Sequence, residues 1–562
     1  MLRRGLPLRM IDSEGALRDT FGSAPLILPA MLVRRGKYSV ADPLFVEERR
    51  PVLVARKLRR GAEAGDIVLV NAREKNRSLR GEVTRVIGSS DDPRNVYEAL
   101  FASIGTSREF PRKVDEEAEA VAQRGIGERQ DLRHLPTVTI DGANAKDFDD
   151  AISVERADGG YRVWVHIADV TQYVDPGSAL DKQAAYRANS VYLPGTVAPM
   201  LPRRLSDDVC SLRPHADRAA VTVEVEVDAG GEARSFRAYR SVIVSDARLT
   251  YGAVDAFLAG EGEVERPDLI KTAYELSRKL KMRAARRGKL ELGGREPEYE
   301  IDEDGIPVGA GVRRSTPARE LIEELMVLAN ESVAKMLQHK KGGVFRVHER
   351  PDTESLEKLA ERLAAVGMQA EPTPENLGTI SQMAKSDAVN YLILRSIPRA
   401  LYSPDDLGHY GLALEHYTHF TSPIRRYADV LVHRALLDEV PPDDLAAVTD
   451  AISEREYRSM ICERTSDEYT LMWLMRDRVG DVLEGTVVST ASFGLFVELE
   501  TGANGLVHVS KLPGWWELEA NGVVLSNDAI GASYRVGDRV LVELLDVLPL
   551  MQRAELRVVK HL

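Results

Sequence analysis

The stretch that most constrains the fold of this chain is residues 137–155, TVTIDGANAKDFDDAISVE. Two short β-like runs, residues 137–140 and 151–155, flank a loop with four aspartates, Asp141, Asp147, Asp149 and Asp150. Two like charges about 4 Å apart repel by roughly 4 kcal/mol at a protein-like effective dielectric. The loop must therefore face water or hold cations.

Closely spaced carboxylate oxygens favour Mg²⁺ or Mn²⁺, and one or two such ions are the cofactors that this pattern suggests. The alternative interpretation is a solvated acidic turn, because runs of charge usually lie on a hydrated surface. The loop alone does not decide between them, so the rest of the chain has to supply the context.

Length and composition limit the class of protein. At 562 residues the chain exceeds a single core, and about 150 residues per domain predicts three or four domains. Its two cysteines, Cys210 and Cys462, are far apart and lack metal-ligand spacing, which predicts a reducing, cytoplasmic location. Neither a run of about 18 apolar residues nor a secretion signal is found, so no membrane partner is predicted.

The net charge of −13 argues against a nucleic-acid partner, unless positive charge is local or supplied by metals. Residues 1–110 carry such a local set, which either solubilises the surface or faces phosphates. It comprises Arg49, Arg50, Arg56, Lys57, Arg59, Arg60, Arg73, Lys75 and Arg77. A strand pair is predicted at residues 66–70 and 80–87, and helices at 95–104 and 113–124. Residues 111–134 are assigned to helix and linker.

Residues 135–480 are predicted to form one large α/β domain. A β-hairpin is expected after the acidic loop, because residues 161–170 alternate and follow an Asp-Gly-Gly turn. Prolines within residues 190–214 exclude a regular helix or central strand there. Helical periodicity is found at residues 267–287, 318–339, 353–366, 379–397, 423–437 and 443–476.

In residues 481–562 the periodicity changes to two, with glycine turns, which predicts a five-stranded barrel of the OB type. Phe493, Phe496 and His508 would lie where such barrels stack nucleic-acid bases. The alternative is that both phenylalanines belong to the barrel core, as aromatic residues in strands often do.

A second chemical stretch is THFTSPIRRYADVLVH, residues 418–433. Pro423 suits the first position of a helix, and the N–H groups of a helix N-terminus attract anions. Arg425 and Arg426 would then lie in the first turn, where a phosphate could offset their unfavourable interaction with the helix dipole. The alternative is an ion pair from one of them to Asp429 along the helix.

Five motifs together resemble the ribonuclease II and ribonuclease R superfamily. They occur in the order IDGANAKDFDDA (140–151), VYLPGTVAPMLPRRLSDDVCSL (191–212), ELIEELMVLAN (320–330), RVHERPD (346–352) and HYGLALEHYTHFTSPIRRYADVLVHR (409–434). The terminal barrel resembles the S1 RNA-binding domain that this family carries after its catalytic domain. The resemblance extends from about residue 135 to the C-terminus.

The resemblance implies a monomeric, processive 3′→5′ exoribonuclease that degrades single-stranded RNA from a free 3′ end to nucleoside 5′-monophosphates. The four aspartates match the family's acidic positions, with Asp149 and Asp150 also catalytic, and would hold Mg²⁺. Tyr192 matches a tyrosine that stacks near the terminal nucleotide, and Arg425 an arginine that contacts the scissile phosphate, with Arg426 beside it. The family's late acidic residue is assigned to Asp467 or Glu468, and a second stacking aromatic has no match.

The sequence departs from the family at its N-terminus, where about 110 residues are too few for two cold-shock domains and helices. Either one reduced OB-like module or a different small fold, such as a winged helix, is expected. Lack of a long basic tail favours behaviour like ribonuclease II over ribonuclease R. A catalytically silent RNA-binding relative and a metal-dependent DNA nuclease are the alternatives.

Overall fold

The computed structural model describes residues 9–11, 17–19, 26–36, 38–75, 78–292, 296–384 and 386–562. Arg77 of the basic set therefore lies outside the described residues, as does residue 385 within the helix predicted at 379–397. In this part of the chain, helices long and apolar enough to cross a membrane are absent. Two barrels flank a central mixed domain.

The N-terminal module is a closed five-stranded barrel, which corrects the winged-helix alternative and confirms the OB-like one. Its strands are Leu26–Arg35, Tyr38–Pro43, Val52–Val54, Asp66–Lys75 and Ser78–Ser89. The predicted pair is present, because Asp66–Lys75 and Ser78–Ser89 run antiparallel. Alternating apolar side chains such as Leu32, Val68 and Val70 fill its interior. A small two-stranded sheet, Arg9–Ile11 with Leu17–Asp19, precedes the barrel.

Two helices, Pro93–Ser103 and Arg112–Val121, connect this barrel to the central domain. Asp92 caps the first by accepting a hydrogen bond from the backbone N–H of Arg94, and Pro93 suits the first helical position. Tyr97 and Phe101 of that helix are fully buried, and Tyr97 bonds through its hydroxyl group to Thr470. The helix Pro93–Ser103 is therefore packed against the helix Leu445–Met475 of the central domain.

The central domain is built on a seven-stranded mixed sheet. From one edge to the other its strands are Ala247–Thr250, Val138–Asp141, Asp150–Ala157, Gly160–Ala168, Asp217–Asp228, Ala233–Val244 and Gln130–Asp131. The predicted hairpin after the acidic loop is present as Asp150–Ala157 paired antiparallel with Gly160–Ala168. Both edge strands pair in parallel with their neighbours.

A buried chain of side-chain hydrogen bonds links four neighbouring strands of this sheet and Thr137, which directly precedes a fifth strand. Thr137 bonds to Ser153, Ser153 to His166, His166 to Thr222, and Thr222 to Ser241, over side-chain distances of 2.6 to 3.0 Å. Burial lowers the pKa of His166 to about 3, so its ring is neutral and can link a donor to an acceptor. Since a one-residue slip would break every link, the chain favours one register of the strands that carry the site.

Helices cover the sheet and extend the domain. They are Ala179–Arg187, Tyr251–Leu258, Pro267–Arg287, Pro317–Leu337, Thr353–Ala365, Leu377–Ala384, Asp387–Ser396, Tyr427–Leu436 and Leu445–Met475. The helix predicted at 267–287 is confirmed residue for residue, whereas the one predicted at 379–397 is two helices. Two short hairpins complete the domain, Val191–Leu193 with Thr196–Ala198 and Glu296–Ile301 with Pro307–Arg313. Phe345–Val347 also pairs antiparallel with Leu401–Ser403, which follows it after three helices.

The helix predicted to begin at Pro423 begins at Tyr427 instead, so the prediction was wrong there. A neighbouring segment takes the backbone groups that a helix would use. The N–H of Ser190 donates to the carbonyl of Arg425, and the N–H of Tyr427 donates to the carbonyl of Ala188. This pairing holds Arg426 in an extended conformation, which a local proline signal cannot foresee.

The C-terminal barrel confirms the predicted five-stranded architecture. Its strands are Val482–Ala491, Gly494–Leu499, Asn504–His508, Arg539–Leu548 and Arg553–His561. A small sheet of Glu517–Leu518, Val524–Asn527 and Ala532–Arg535 is inserted before the fourth strand. Val523, Val524 and Val536 of this insertion pack against the helices Leu377–Ala384 and Asp387–Ser396. The barrel is thereby fixed to the central domain.

Candidate active site

The acidic loop lies at the end of two adjacent central strands. Asp141 is the last residue of Val138–Asp141, Asp150 is the first of Asp150–Ala157, and these strands pair antiparallel. Asp147 and Asp149 lie on the connection between them. Because the chain turns back on itself here, the structure brings the four predicted aspartates into one cluster, and they influence one another's ionisation.

Burial and mutual repulsion make the ionised loop unfavourable. Burial is the main cause that raises the pKa of Asp141, and repulsion by Asp150 and Asp147 raises it further. Burial also raises the pKa of Asp149 and of Asp150, although Arg425 acts against it in both cases. Neighbouring cations therefore do not balance the negative charge that these groups would carry at neutral pH.

The donor chemistry of the loop fits a hard divalent cation. The Oδ2 atom of Asp141 is buried and has no hydrogen-bond partner, so it presents a free oxygen ligand. No set of three or more histidine, cysteine or acidic side chains within the described ranges is arranged to hold a metal ion as it stands. The aspartates thus supply the oxygens and excess charge of a cation site without forming a complete ligating arrangement.

Tyr192, which the family resemblance assigned to stacking near the terminal nucleotide, lies beside the acidic loop. Its hydroxyl group donates a hydrogen bond of 3.0 Å to Oδ2 of Asp147, while 43% of the residue remains exposed. The hairpin Val191–Leu193 with Thr196–Ala198 carries it, and Gly195 makes the turn with a φ of +73°. The ring is therefore anchored at its polar end and open on its face.

Arg425 and Arg426 play different structural roles. The Nε atom of Arg425 lies 3.5 Å from Oδ2 of Asp149, and a terminal nitrogen donates to the Ser422 hydroxyl at 2.9 Å. Arg426 is instead paired with Asp429 at 2.7 Å, and the carboxylate of that pair is fully buried. The structure thus brings Arg425 to the acidic loop and gives Arg426 the ion pair that the alternative interpretation described.

The predicted anion site at a helix N-terminus is corrected by the same segment. Residues 423–426 precede the helix Tyr427–Leu436 and do not form its first turn. The backbone N–H of Ile424 donates to Oδ1 of Asp149 at 2.8 Å. This segment therefore holds a carboxylate of the acidic loop with one N–H group.

Sequence reasoning missed two side chains beside the site. Oε1 of Glu463 accepts a hydrogen bond of 2.9 Å from the backbone N–H of Tyr192, and burial raises the pKa of Glu463 to about 7. Tyr251 lies close enough to the loop for Asp150 and Asp141 to add to the effect of burial in raising its pKa. Glu463 is one of many acids on a long helix, so periodicity alone gave no signal for it.

Asp467 and Glu468, the two acids assigned to the family's late acidic position, lie on the same helix as Glu463, Leu445–Met475. Glu468 pairs with Arg464 at 3.1 Å. The backbone carbonyl of Asp467 accepts a hydrogen bond from the Tyr299 hydroxyl at 3.3 Å, and burial raises the pKa of its side chain to about 6. Glu463, one turn before Asp467, is the acid of this helix that contacts Tyr192.

The predicted RNA-facing residues of the C-terminal barrel lie on its surface. Phe493 is 47% exposed in the first strand connection, and its ring meets that of Phe496 edge-to-face at 6.0 Å. His508 is exposed at the end of Asn504–His508. Residues such as Val487, Leu495 and Val497 form the core instead. The base-stacking role of the three residues remains a prediction.

Three protein-family models match the chain. The RNB domain covers residues 129–440, the S1 RNA binding domain covers residues 476–549, and the cold shock domain covers residues 47–111. The first match alone extends over more than half of the chain and contains the acidic loop, Tyr192 and Arg425. The cold shock match overlaps the last three strands of the N-terminal barrel, and the S1 match contains the first four strands of the C-terminal barrel.

Proteins of similar sequence and structure support the same assignment. Ribonuclease R of Vibrio cholerae is 34% identical over 91% of this chain and 67% of its own length. Ribonuclease R of Escherichia coli is 33% identical over 86% of this chain and 64% of its own length, so the chain spans about two thirds of these relatives. A structure of Mycoplasma genitalium RNase R in complex with ribose-methylated single-stranded RNA has a TM-score of 0.89 and 27% sequence identity to this chain. The match covers 97% of this chain and 91% of that chain. The chain therefore belongs to the RNB superfamily of exoribonucleases, which includes ribonucleases II and R.

Proposed function

We propose that this protein is a divalent-metal-dependent 3′→5′ exoribonuclease that degrades single-stranded RNA to nucleoside 5′-monophosphates. The observation that carries the proposal is the convergence of Asp141, Asp147, Asp149 and Asp150 with the ring of Tyr192 and the guanidinium of Arg425. Excess carboxylate charge, an exposed aromatic face and a half-exposed cation at one place suit a phosphodiester next to its base.

The four aspartates would hold Mg²⁺ or Mn²⁺. When bound, such ions lower the pKa of an attacking water and stabilise charge on the leaving oxygen. The water oxygen bonds to phosphorus, the bond from phosphorus to the 3′ oxygen of the preceding nucleotide breaks, and that oxygen takes up a proton. The products are a nucleoside 5′-monophosphate and an RNA one residue shorter, with a 3′-hydroxyl end.

The protein side chains position the substrate for this step. The open face of Tyr192 stacks on the last base, while its hydroxyl group stays fixed to Asp147. Arg425 donates to a nonbridging oxygen of the scissile phosphate, and Ser422 limits the orientations of its guanidinium group. Glu463 holds the Tyr192 backbone from the helix behind it. These contacts favour a reactive geometry before hydrolysis begins.

We assign each domain a separate role on the basis of this site. Residues 1–110 and 481–562 hold the RNA strand, residues 111–134 join the first module to the catalytic unit, and residues 135–480 cleave. Local basic residues such as Arg56 and Arg59, together with the metal ions and Arg425, offset the net charge of −13 where phosphates bind.

The direct test uses one sequence as 5′-labelled single-stranded RNA and as DNA, incubated with Mg²⁺ or with a chelator. The wild-type protein should shorten the RNA stepwise, leave the DNA intact, and stop when the chelator is added. Asp149→Asn should slow the reaction about a thousandfold or more, whereas Arg237→Lys, on a distant strand, should not. Equal degradation of DNA, or no degradation of RNA, would contradict the proposal.

Degradation of structured RNA is the second candidate activity, because the relatives compared are named Ribonuclease R. One solved Mycoplasma genitalium RNase R structure also contains double-stranded RNA, with a TM-score of 0.84 and 26% identity to this chain. Duplexes with graded 3′ overhangs test this: degradation that continues into the duplex would support the activity, and stalling before the duplex at every overhang length would refute it.

A further inference from the structure

The connection between Asp141 and Asp150 depends on other elements for its shape. Residues 143, 144 and 146 are exposed, and the strands on either side of the connection pair only at Ile152 and Val138. Like charges at short distances would push an unsupported loop apart. The relative positions of the four carboxylates must therefore be set by contacts from outside the loop.

Arg248 makes the first such contact. One of its terminal nitrogens donates to the carbonyl of Gly142 at 2.5 Å and to that of Ala143 at 2.7 Å. Its guanidinium carbon lies 5.5 Å from the centre of the Phe148 ring on the far side of the same loop. Arg248 belongs to the strand Ala247–Thr250, which pairs in parallel with Val138–Asp141, so its backbone is fixed relative to Asp141.

Ser211 makes the second contact, at the other end of the loop. Its hydroxyl group donates to the carbonyl of Lys146 at 2.6 Å and accepts from the N–H of Phe148 at 3.0 Å. Ser211 is fully buried, and the adjacent N–H of Leu212 donates to the Phe148 carbonyl. The backbone on both sides of Asp147 is therefore held by one hydroxyl group.

We propose that Arg248 and Ser211 are positioning residues that clamp the two ends of the acidic loop and so set the separation of the carboxylates that bind the divalent cation. This inference rests on the proposed function, and it concerns residues that act through the loop without touching substrate. Arg248 fixes the side of Asp141, and Ser211 fixes the side of Asp147, Asp149 and Asp150.

Two kinds of change separate charge from geometry at Arg248. Arg248→Lys keeps the positive charge but replaces the planar fork with a flexible ammonium group, whereas Arg248→Met removes the charge as well. Ser211→Ala removes both loop hydrogen bonds and alters no charge. Ser332→Ala is the matched control, since Ser332 is also buried and its hydroxyl group donates to the carbonyl of Leu328 within one helix, away from the loop.

The experiment measures Mn²⁺ affinity from the free-ion signal in electron paramagnetic resonance, and the Mg²⁺ dependence of RNA degradation. Ser211→Ala and Arg248→Met should raise the Mn²⁺ dissociation constant and the half-saturating Mg²⁺ concentration about tenfold to a hundredfold. The kcat of both variants at saturating Mg²⁺ should return to within a few fold of wild type. The Mn²⁺ dissociation constant of Arg248→Lys should lie between those of wild type and Arg248→Met. A general loss of folding would lower kcat at every Mg²⁺ concentration.

Wild-type Mn²⁺ affinity in both Ser211→Ala and Arg248→Met overturns the clamp, whatever the activity shows. An equal shift in Ser332→Ala overturns it too, because loss of any buried hydroxyl would then suffice. If Mn²⁺ affinity shifts as expected but the wild-type protein degrades no RNA, the clamp is supported and the proposed function fails.

Discussion

Replacement of Asp149 by asparagine should stabilise the metal-free protein while it slows RNA degradation about a thousandfold. Asp149 is the most buried of the four aspartates, with 5% of its surface exposed. Asparagine keeps an oxygen for the N–H of Ile424, which donates to Oδ1 at 2.8 Å in the wild type. The substitution therefore removes a charge at almost constant shape.

Two electrostatic effects oppose each other in this variant. Attraction between Asp149 and Arg425 at 3.5 Å is lost, but the arginine side chain is 44% exposed, so solvent screening reduces that term to about 1 kcal/mol. The cost of burying a carboxylate, several kcal/mol, is also removed. Burial raises the pKa of Asp149 well above its usual value despite Arg425, so the desolvation effect is the larger. We expect a net stabilisation of about 1–3 kcal/mol at neutral pH.

The stabilisation by Asp149→Asn should vary with pH in a direction that follows from the raised pKa of Asp149. A carboxyl group whose pKa is raised by folding destabilises the folded state as pH rises above its unfolded value, near 4. The melting temperature of Asp149→Asn in chelator should therefore exceed that of wild type at pH 7.5, and the difference should vanish near pH 4. Differential scanning fluorimetry measures both.

Activity should change in the opposite direction. Loss of one carboxylate ligand that contributes about 4 kcal/mol to the transition state slows RNA degradation roughly a thousandfold. Added Mg²⁺ should raise the melting temperature of wild type more than that of the variant, because only the complete site binds the ion tightly. A variant that is less stable than wild type in chelator at pH 7.5, or that retains activity, would refute this reasoning.

Four further substitutions are predicted to have distinct effects, three of them near the acidic loop and one on the C-terminal barrel. Burial raises the pKa of Glu463 to about 7, so folded-state stability falls as pH rises from about 4.5 towards 7, and Glu463→Gln should flatten the melting temperature between pH 5 and 8. Arg425→Ala should lower kcat/KM at least tenfold but should change the melting temperature only slightly, because its partly exposed pair with Asp149 contributes about 1 kcal/mol. Arg426→Ala instead breaks a buried pair and should cost about 3–5 kcal/mol in thermal unfolding. Phe493→Ala should weaken single-stranded RNA binding, followed by fluorescence anisotropy, by about 1–3 kcal/mol without lowering kcat.

Local patterns predicted much of the fold. Alternation identified the hairpin after the acidic loop and the C-terminal barrel, and helical periodicity with proline and glycine ends located Pro267–Arg287. The helix predicted at 423–437 began too early because Ala188 and Ser190, more than 200 positions away, pair with its expected first turn. Long-range backbone pairing of this kind leaves no mark in a local window.

The sequence predicted those site residues that are clustered in the chain or belong to a recognisable motif. It did not predict those whose role depends on contacts formed by the fold. Four aspartates in ten positions marked the loop, and motif matches identified Tyr192 and Arg425. Glu463 was missed because its helix carries acids on several faces, and only the fold selects the one behind Tyr192. Arg248 and Ser211 were missed because an arginine in a strand and a buried serine gain meaning only from the loop that they contact.

Anomalous diffraction from crystals soaked in Mn²⁺ shows whether the acidic loop binds a divalent cation. A strong anomalous peak is expected about 2.0–2.6 Å from carboxylate oxygens of Asp141 and Asp150, and a much weaker peak in Asp149→Asn crystals soaked identically. Fully soaked wild-type crystals without a peak at the loop, or with their strongest peak elsewhere in the protein, would contradict it.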